Sequence, residues 1–280
     1  MDFRTAPGSR GLAWFKGAVR MLDKNPRGLL SITLFFFLIQ QVPNLFASTQ
    51  EVSYALLTVL LVLNPALFAG LLFAISEADA GRPVSSLQLF EGLRRPRVRA
   101  QLMLLGVLQA LGLLLVLLAV QRVFGADNLD ILMKVANQKL TPDSVQAKQM
   151  AGPLLQTVMV SLVIVFVLLA GMFFAVPRVM FDGRSALGAF GESIAACAAN
   201  VLSLTVYGLV LIGVVMVLAV ALASVAALLA LLGKIGSMLF LIVVIAVSVV
   251  GLLVNTAGNY LAWREVFGHA NASAQVGIEV

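Results

Sequence analysis

The chain has 280 residues, of which 61% are hydrophobic and only 11% charged, with a net charge of +6 and a mean hydropathy of +1.02. Too few polar side chains remain to cover a water-soluble globule of this size, which excludes an ordinary soluble domain. A nucleic-acid role is excluded with it, because the basic residues lie in short links between apolar runs and no basic soluble domain exists to gather them.

Uncharged apolar runs fall at roughly residues 29–50, 54–76, 100–121, 153–177, 201–233 and 235–263, and none contains Asp, Glu, Lys, Arg or His. A hydrocarbon core of ~30 Å takes ~20 residues of helix at ~1.5 Å each, so the runs predict six transmembrane helices. Lipid offers no partner to an unpaired backbone group, and runs that are apolar on every face lack the alternation of barrel strands. The expected fold class is an all-α integral membrane protein.

In chain order, the first element is a short amphipathic helix before the first span. Leu12, Phe15, Val19 and Leu22 recur at helical spacing, and Lys16, Arg20 and Lys24 form a basic stripe. Trp14 is placed at headgroup level, Pro26 ends the segment, and Arg27 follows. Such a helix is expected to lie on an anionic leaflet. The first span is too long for a signal-peptide core and is read as retained. Asn64-Pro65 interrupts the second span and is the most notable polar point at depth, a kink or the wall of a polar pathway.

The hexapeptide A-G-x-x-Φ-A (Φ apolar) closes the second, fourth and sixth spans, at Ala69–Ala74, Ala170–Ala175 and Ala257–Ala262. Within it Gly70 and Ala74, Gly171 and Ala175, and Gly258 and Ala262 lie four apart on one helix face. These small faces are read as packing seams, since close approach rather than apolar burial drives helix association in lipid. Each hairpin follows a segment centred on a phenylalanine, Phe15, Phe90 or Phe190, and asparagines follow the first and third, at Asn25 and Asn200. Three repeated units, about 10–78, 79–181 and 182–265, each an interfacial helix plus a transmembrane hairpin, are therefore expected. The second segment carries Leu87, Phe90 and Leu93, a capping box at Ser85 and Gln88, and the basic run Arg94, Arg95, Arg97 and Arg99. The first three of these arginines join Trp14, Lys16, Arg20, Lys24 and Arg27 as expected lipid-headgroup contacts.

Residues 126–152 form an outer insert, read as two short helices: an apolar face of Leu129, Leu132, Met133 and Ala136, then a helix start at Thr141-Pro142-Asp143. In the last span Asn255 and Asn259 share a face around Gly258, which predicts an interhelical hydrogen bond or, with Asn64 and Pro65, a polar pathway. Residues 266–280 are expected to be a flexible tail. Fourteen of the 19 Lys and Arg residues fall on the side shared by both termini, which the charge rule assigns to the cytoplasm.

The single histidine, His269, sits in the tail, and the acidic residues show no metal-ligand spacing, so no catalytic, metal or cofactor site is expected and the chain is read as non-enzymatic. The single Cys197 has no disulfide partner. The Trp14-Phe15 basic helix, the three hairpins, the Asp79-Ala80-Gly81-Arg82-Pro83 link and Phe90-Glu91-Gly92-Leu93-Arg94 resemble a group of uncharacterised six-span bacterial inner-membrane proteins. That group is similar to the membrane domain fused to some glycerophosphodiester phosphodiesterases. The resemblance covers about residues 10–265 and implies location in the bacterial inner membrane, with the 126–152 insert periplasmic. It implies no activity, because the phosphodiesterase domain has no counterpart here. The expectation is a protein of the cell envelope associated with anionic inner-leaflet lipids or with protein partners of unknown kind. The alternative is a permease for a neutral or amphipathic small molecule.

Overall fold

The computed structural model describes residues 3–46, 49–136 and 144–268. The described residues contain eleven α-helices and no strand. They are α1 (Arg10–Met21), α2 (Pro26–Gln40), α3 (Val42–Phe46), α4 (Gln50–Asp79), α5 (Glu91–Arg94), α6 (Pro96–Ala119), α7 (Gly125–Ala136), α8 (Val145–Asp182), α9 (Ala186–Ala199), α10 (Val201–Ala230) and α11 (Gly233–Val266). A 3-10 turn, Ser86–Phe90, leads into α5, and a π-helical turn, Val120–Phe124, extends α6.

Local chemistry sets most of the boundaries. Asn25 caps α2 by accepting from the Gly28 N–H at 3.1 Å, with Pro26 in the first turn, where its missing N–H costs nothing. Thr49 caps α4 in the same way. The capping box expected at Ser85 and Gln88 is present and opens the 3-10 turn. Gly81 and Gly183 end α4 and α8 with positive φ, a region open to glycine without steric cost.

Among the described residues five helices are long and apolar enough to cross a membrane: Glu51–Asp79, Pro96–Phe124, Lys148–Asp182, Val201–Ala230 and Gly233–Val266. The first of the six expected runs is divided into the 15-residue α2 and the five-residue α3, parted by a turn at Gln41. The insert also differs from expectation. The helix α7 is there, but Thr141-Pro142-Asp143 lies outside the described residues, and the helix from Val145 runs without a break into the apolar span.

The three hexapeptide helices α4, α8 and α11 pack on one another at the centre. Around them α2 packs on α4 and α11, α6 on α4 and α8, and α10 on α11. The short segments pack chiefly on helices other than those of the hairpins that follow them. The 3-10 turn and α5 lie against α4, α9 lies against α8, and α1 lies against α10 and α11 at the far end of the chain. Each segment thus covers the second helix of the hairpin before it, and α1 closes the ring.

Burial is concentrated at the end of the bundle where these segments sit. Trp14, Leu72, Ile75, Phe174, Val179 and Leu253 belong to one core there, whereas α10 buries only Ser203 and Tyr207, both near its start. Beyond that end the helices expose Leu117, Phe166, Val217 and Val220, the surface that hydrocarbon solvates.

The charged end of the bundle as candidate functional site

Three ionic clusters tie the segments to the central helices. In the first, Asp79 at the end of α4 receives Lys24 at 2.5 Å from the α1–α2 link, Arg264 from α11, and the Tyr260 hydroxyl at 3.4 Å. In the second, Glu265 of α11 accepts two bonds of 2.6 Å from the Arg10 guanidinium and one of 2.9 Å from the Trp14 indole N–H. The Glu265 hydrogen bond holds the Arg10 guanidinium above its ordinary value. In the third, Arg178 of α8 is buried between Asp182 at 2.6 Å and Glu192 of α9 at 2.5 Å. Its guanidinium lies 4.3 Å from the centre of the Phe267 ring. Bonded and stacked on every side, this cation has the partners that make a buried charge tolerable.

Polar contacts close the same end. Residues 3–8 are strapped down by Arg4 N–H to the Val266 carbonyl (2.7 Å), by Ala6 N–H to Asn200 Oδ1 (2.7 Å) and by Ser203 Oγ to the Ala6 carbonyl (2.6 Å). The two asparagines singled out by position therefore do different work: Asn25 caps a helix and Asn200 clasps the amino-terminal strap. Burial pushes the Cys197 thiol up to about 12.

The expected lipid contacts divide into two groups. Lys16, Arg20, Arg27 and Arg97 are exposed, with no carboxylate partner among the described residues. Arg94 and Arg95 share Glu91, at 4.0 and 3.0 Å, and Lys24 is taken up by Asp79. Trp14 corrects its expectation: it is 2% exposed, edge-on to Tyr207 and bonded to Glu265. The packed face of α1 is Gly11, Trp14, Ala18 and Met21, one residue earlier than the apolar stripe read from the sequence and so rotated by ~100°. Gly11 and Ala18 decide this, because small residues let α1 approach α10 and α11 closely.

The hexapeptide glycines all face close neighbours. A Cβ on Gly70 would fall on the Leu89 carbonyl, one on Gly171 on the Phe190 ring, and one on Gly258 on the Tyr207 hydroxyl. Ala74, Ala175 and Ala262 are fully buried. Of the four residues considered for a polar pathway, the three asparagines bond to separate partners. Gln40 donates to Asn64 at 2.8 Å, Pro65 is carried inside the unbroken α4, and Asn259 donates to the Phe173 carbonyl at 2.7 Å. The Asn255 carbonyl accepts from Tyr207 at 3.3 Å, while its side chain is exposed. Sequence reasoning missed Asp79, Arg178, Glu192 and Glu265; it named only Asp79, as part of a link. The available signal was their place just beyond each hexapeptide or in the Phe190 segment.

Two cavities open at this end. One, of about 550 Å³, lies between α6, the end of α8 and the turn into α9. The other, of about 210 Å³, lies between α1 and α11 beside Trp14 and Glu265.

The described residues are all-helical, and the five helices of membrane-crossing length and apolarity among them make this a multi-pass membrane protein. The family model described as "Domain of unknown function (DUF7847)" matches residues 12–263, and the chain belongs to that family. No curated protein and no solved structure matches it.

Proposed function

We propose that this is a non-enzymatic protein of the bacterial inner membrane whose charged end faces the cytoplasm and associates with anionic lipid. The observation that carries this reading is the outer face of α1. Leu12, Lys16, Val19 and Arg20, at positions i, i+4, i+7 and i+8, share one side of the helix and are all exposed. Two aliphatic side chains and two unpaired cations at the end of the apolar spans match the acyl–headgroup boundary of an anionic leaflet.

In the same reading, α2 and α3 together act as a sixth crossing, since 20 helical residues reach ~30 Å. Both termini then share the cytoplasmic side. The three hairpins are read as repeated units, with the segments exchanged one place around the ring; the mutual packing of α4, α8 and α11 supports this. The permease alternative has thinner support, because Asn64 and Asn259 are bonded to neighbouring helices.

The lipid reading is tested on the full chain in nanodiscs, carrying Val19→Cys labelled with an environment-sensitive dye. Brominated phosphatidylglycerol is expected to quench the dye more strongly than brominated phosphatidylcholine, and Lys16→Gln with Arg20→Gln to remove the difference. Equal quenching by both lipids in the parent chain would overturn the reading.

A further inference from the structure

We infer that the larger cavity seats the phosphate-bearing headgroup of one anionic phospholipid, an assignment that rests on the lipid-associated reading above and gives it a discrete site. The groove draws Arg97, Val98 and Gln101 from the first turns of α6, and Val179, Arg184 and Ser185 from the end of α8 and the entry to α9.

Its positive charge is only partly compensated. No Asp or Glu lines it, and Arg97 has no carboxylate partner among the described residues. Arg184 reaches only Glu192, at 3.5 Å, and that carboxylate is already held by Arg178 at 2.5 Å. Arg97, Arg178 and Arg184 together face only Asp182 and Glu192, which leaves one positive charge for an incoming anion, and guanidinium forks match phosphate oxygens.

The groove also offers neutral donors. Gln101 Oε1 accepts from the Ala186 N–H at 2.7 Å, which fixes the amide and leaves its Nε2 hydrogens as donors, and the Ser185 hydroxyl makes no capping bond. Its remaining wall is aliphatic, Val98, Ala100 and Val179, at the end of two apolar spans. A free phosphate gains nothing from that wall. A phospholipid gains from it and reaches the arginines at headgroup depth, so the proposed occupant is a lipid.

The test uses the purified full chain in detergent, titrated with short-chain phosphatidylglycerol, with phosphatidylcholine and with inorganic phosphate, and read as bound adducts by native mass spectrometry. The parent chain is expected to take one phosphatidylglycerol in preference to phosphatidylcholine. Arg97→Gln with Arg184→Gln is expected to weaken that adduct about tenfold, and Lys234→Gln, at the start of α11, to leave it unchanged. Val98→Trp, which fills the groove and keeps both charges, is expected to weaken it as well, and answers the question if the arginine variant fails to fold. An adduct that survives Val98→Trp or the folded arginine variant, or that millimolar inorganic phosphate displaces, overturns the groove assignment. If the preference instead disappears with the Lys16 and Arg20 variant, the groove falls while the α1 surface reading stands. A parent chain with no preference between the two lipids removes both.

Discussion

At Gly70 the α4 backbone comes so close to the Leu89 carbonyl that a single methyl group has nowhere to go, because the obstacle is backbone and not a side chain that can turn away. Gly208 on α10 has open space at the same position. Gly70→Ala is therefore expected to destabilise by about 1–3 kcal/mol, the usual cost of overpacking, while Gly208→Ala is neutral or slightly stabilising. Thermal unfolding of the two variants in the same detergent checks this, and equal melting temperatures would contradict it. Cys197 makes a second residue-scale case. Its thiol, raised by burial to about 12, carries almost no thiolate at neutral pH. Alkylation by iodoacetamide in the folded protein is expected to be far slower than in denaturant at neutral pH. Because the pKa is raised and not lowered, reactivity should climb only as pH rises toward that value.

Among the elements, α1 shows how a single carboxylate fixes a helix. Its inner face is held on α11 by Glu265, through Arg10 and the Trp14 indole, while its outer face stays free. Glu265→Gln keeps the shape but loses the charge. With the Arg10 side chain 45% exposed, water can resolvate the freed cation, and the expected cost is about 1 kcal/mol. Hydrogen exchange should rise in residues 10–21 and not in α8. Uniform loosening of the whole bundle would show that Glu265 is structural beyond α1. The rotation of the α1 face by one residue was not legible in the sequence. Leu12 and Val19 score as apolar as Trp14 and Ala18, and only the shape of the α10–α11 surface selects the smaller pair.

For the whole molecule, the ring of segments is the least local feature. The residues that make it, Asp79, Glu265 and Asn200, find their partners 55, 255 and 194 positions away in sequence. Topology is the property to test at this scale. Reporters fused at residue 3 and after residue 268 are expected to lie on the same side, with one in the 125–136 helix on the opposite side. Termini on opposite faces would reduce the crossings to an odd number and remove α2 with α3 as a span.

The sequence by itself determined the all-helical membrane class, five of the six expected spans and the capping box at Ser85, because apolar runs and caps act over a few residues. It also marked the hexapeptide glycines, since a small residue in a span has no other evident use. What the tertiary structure decided was which surface each short segment covers, the withdrawal of Trp14 from the headgroup level, and the gathering of Asp79, Arg178, Glu192 and Glu265 at one end. Those outcomes depend on charge pairing and close fit between helices far apart in the chain, which no local periodicity encodes.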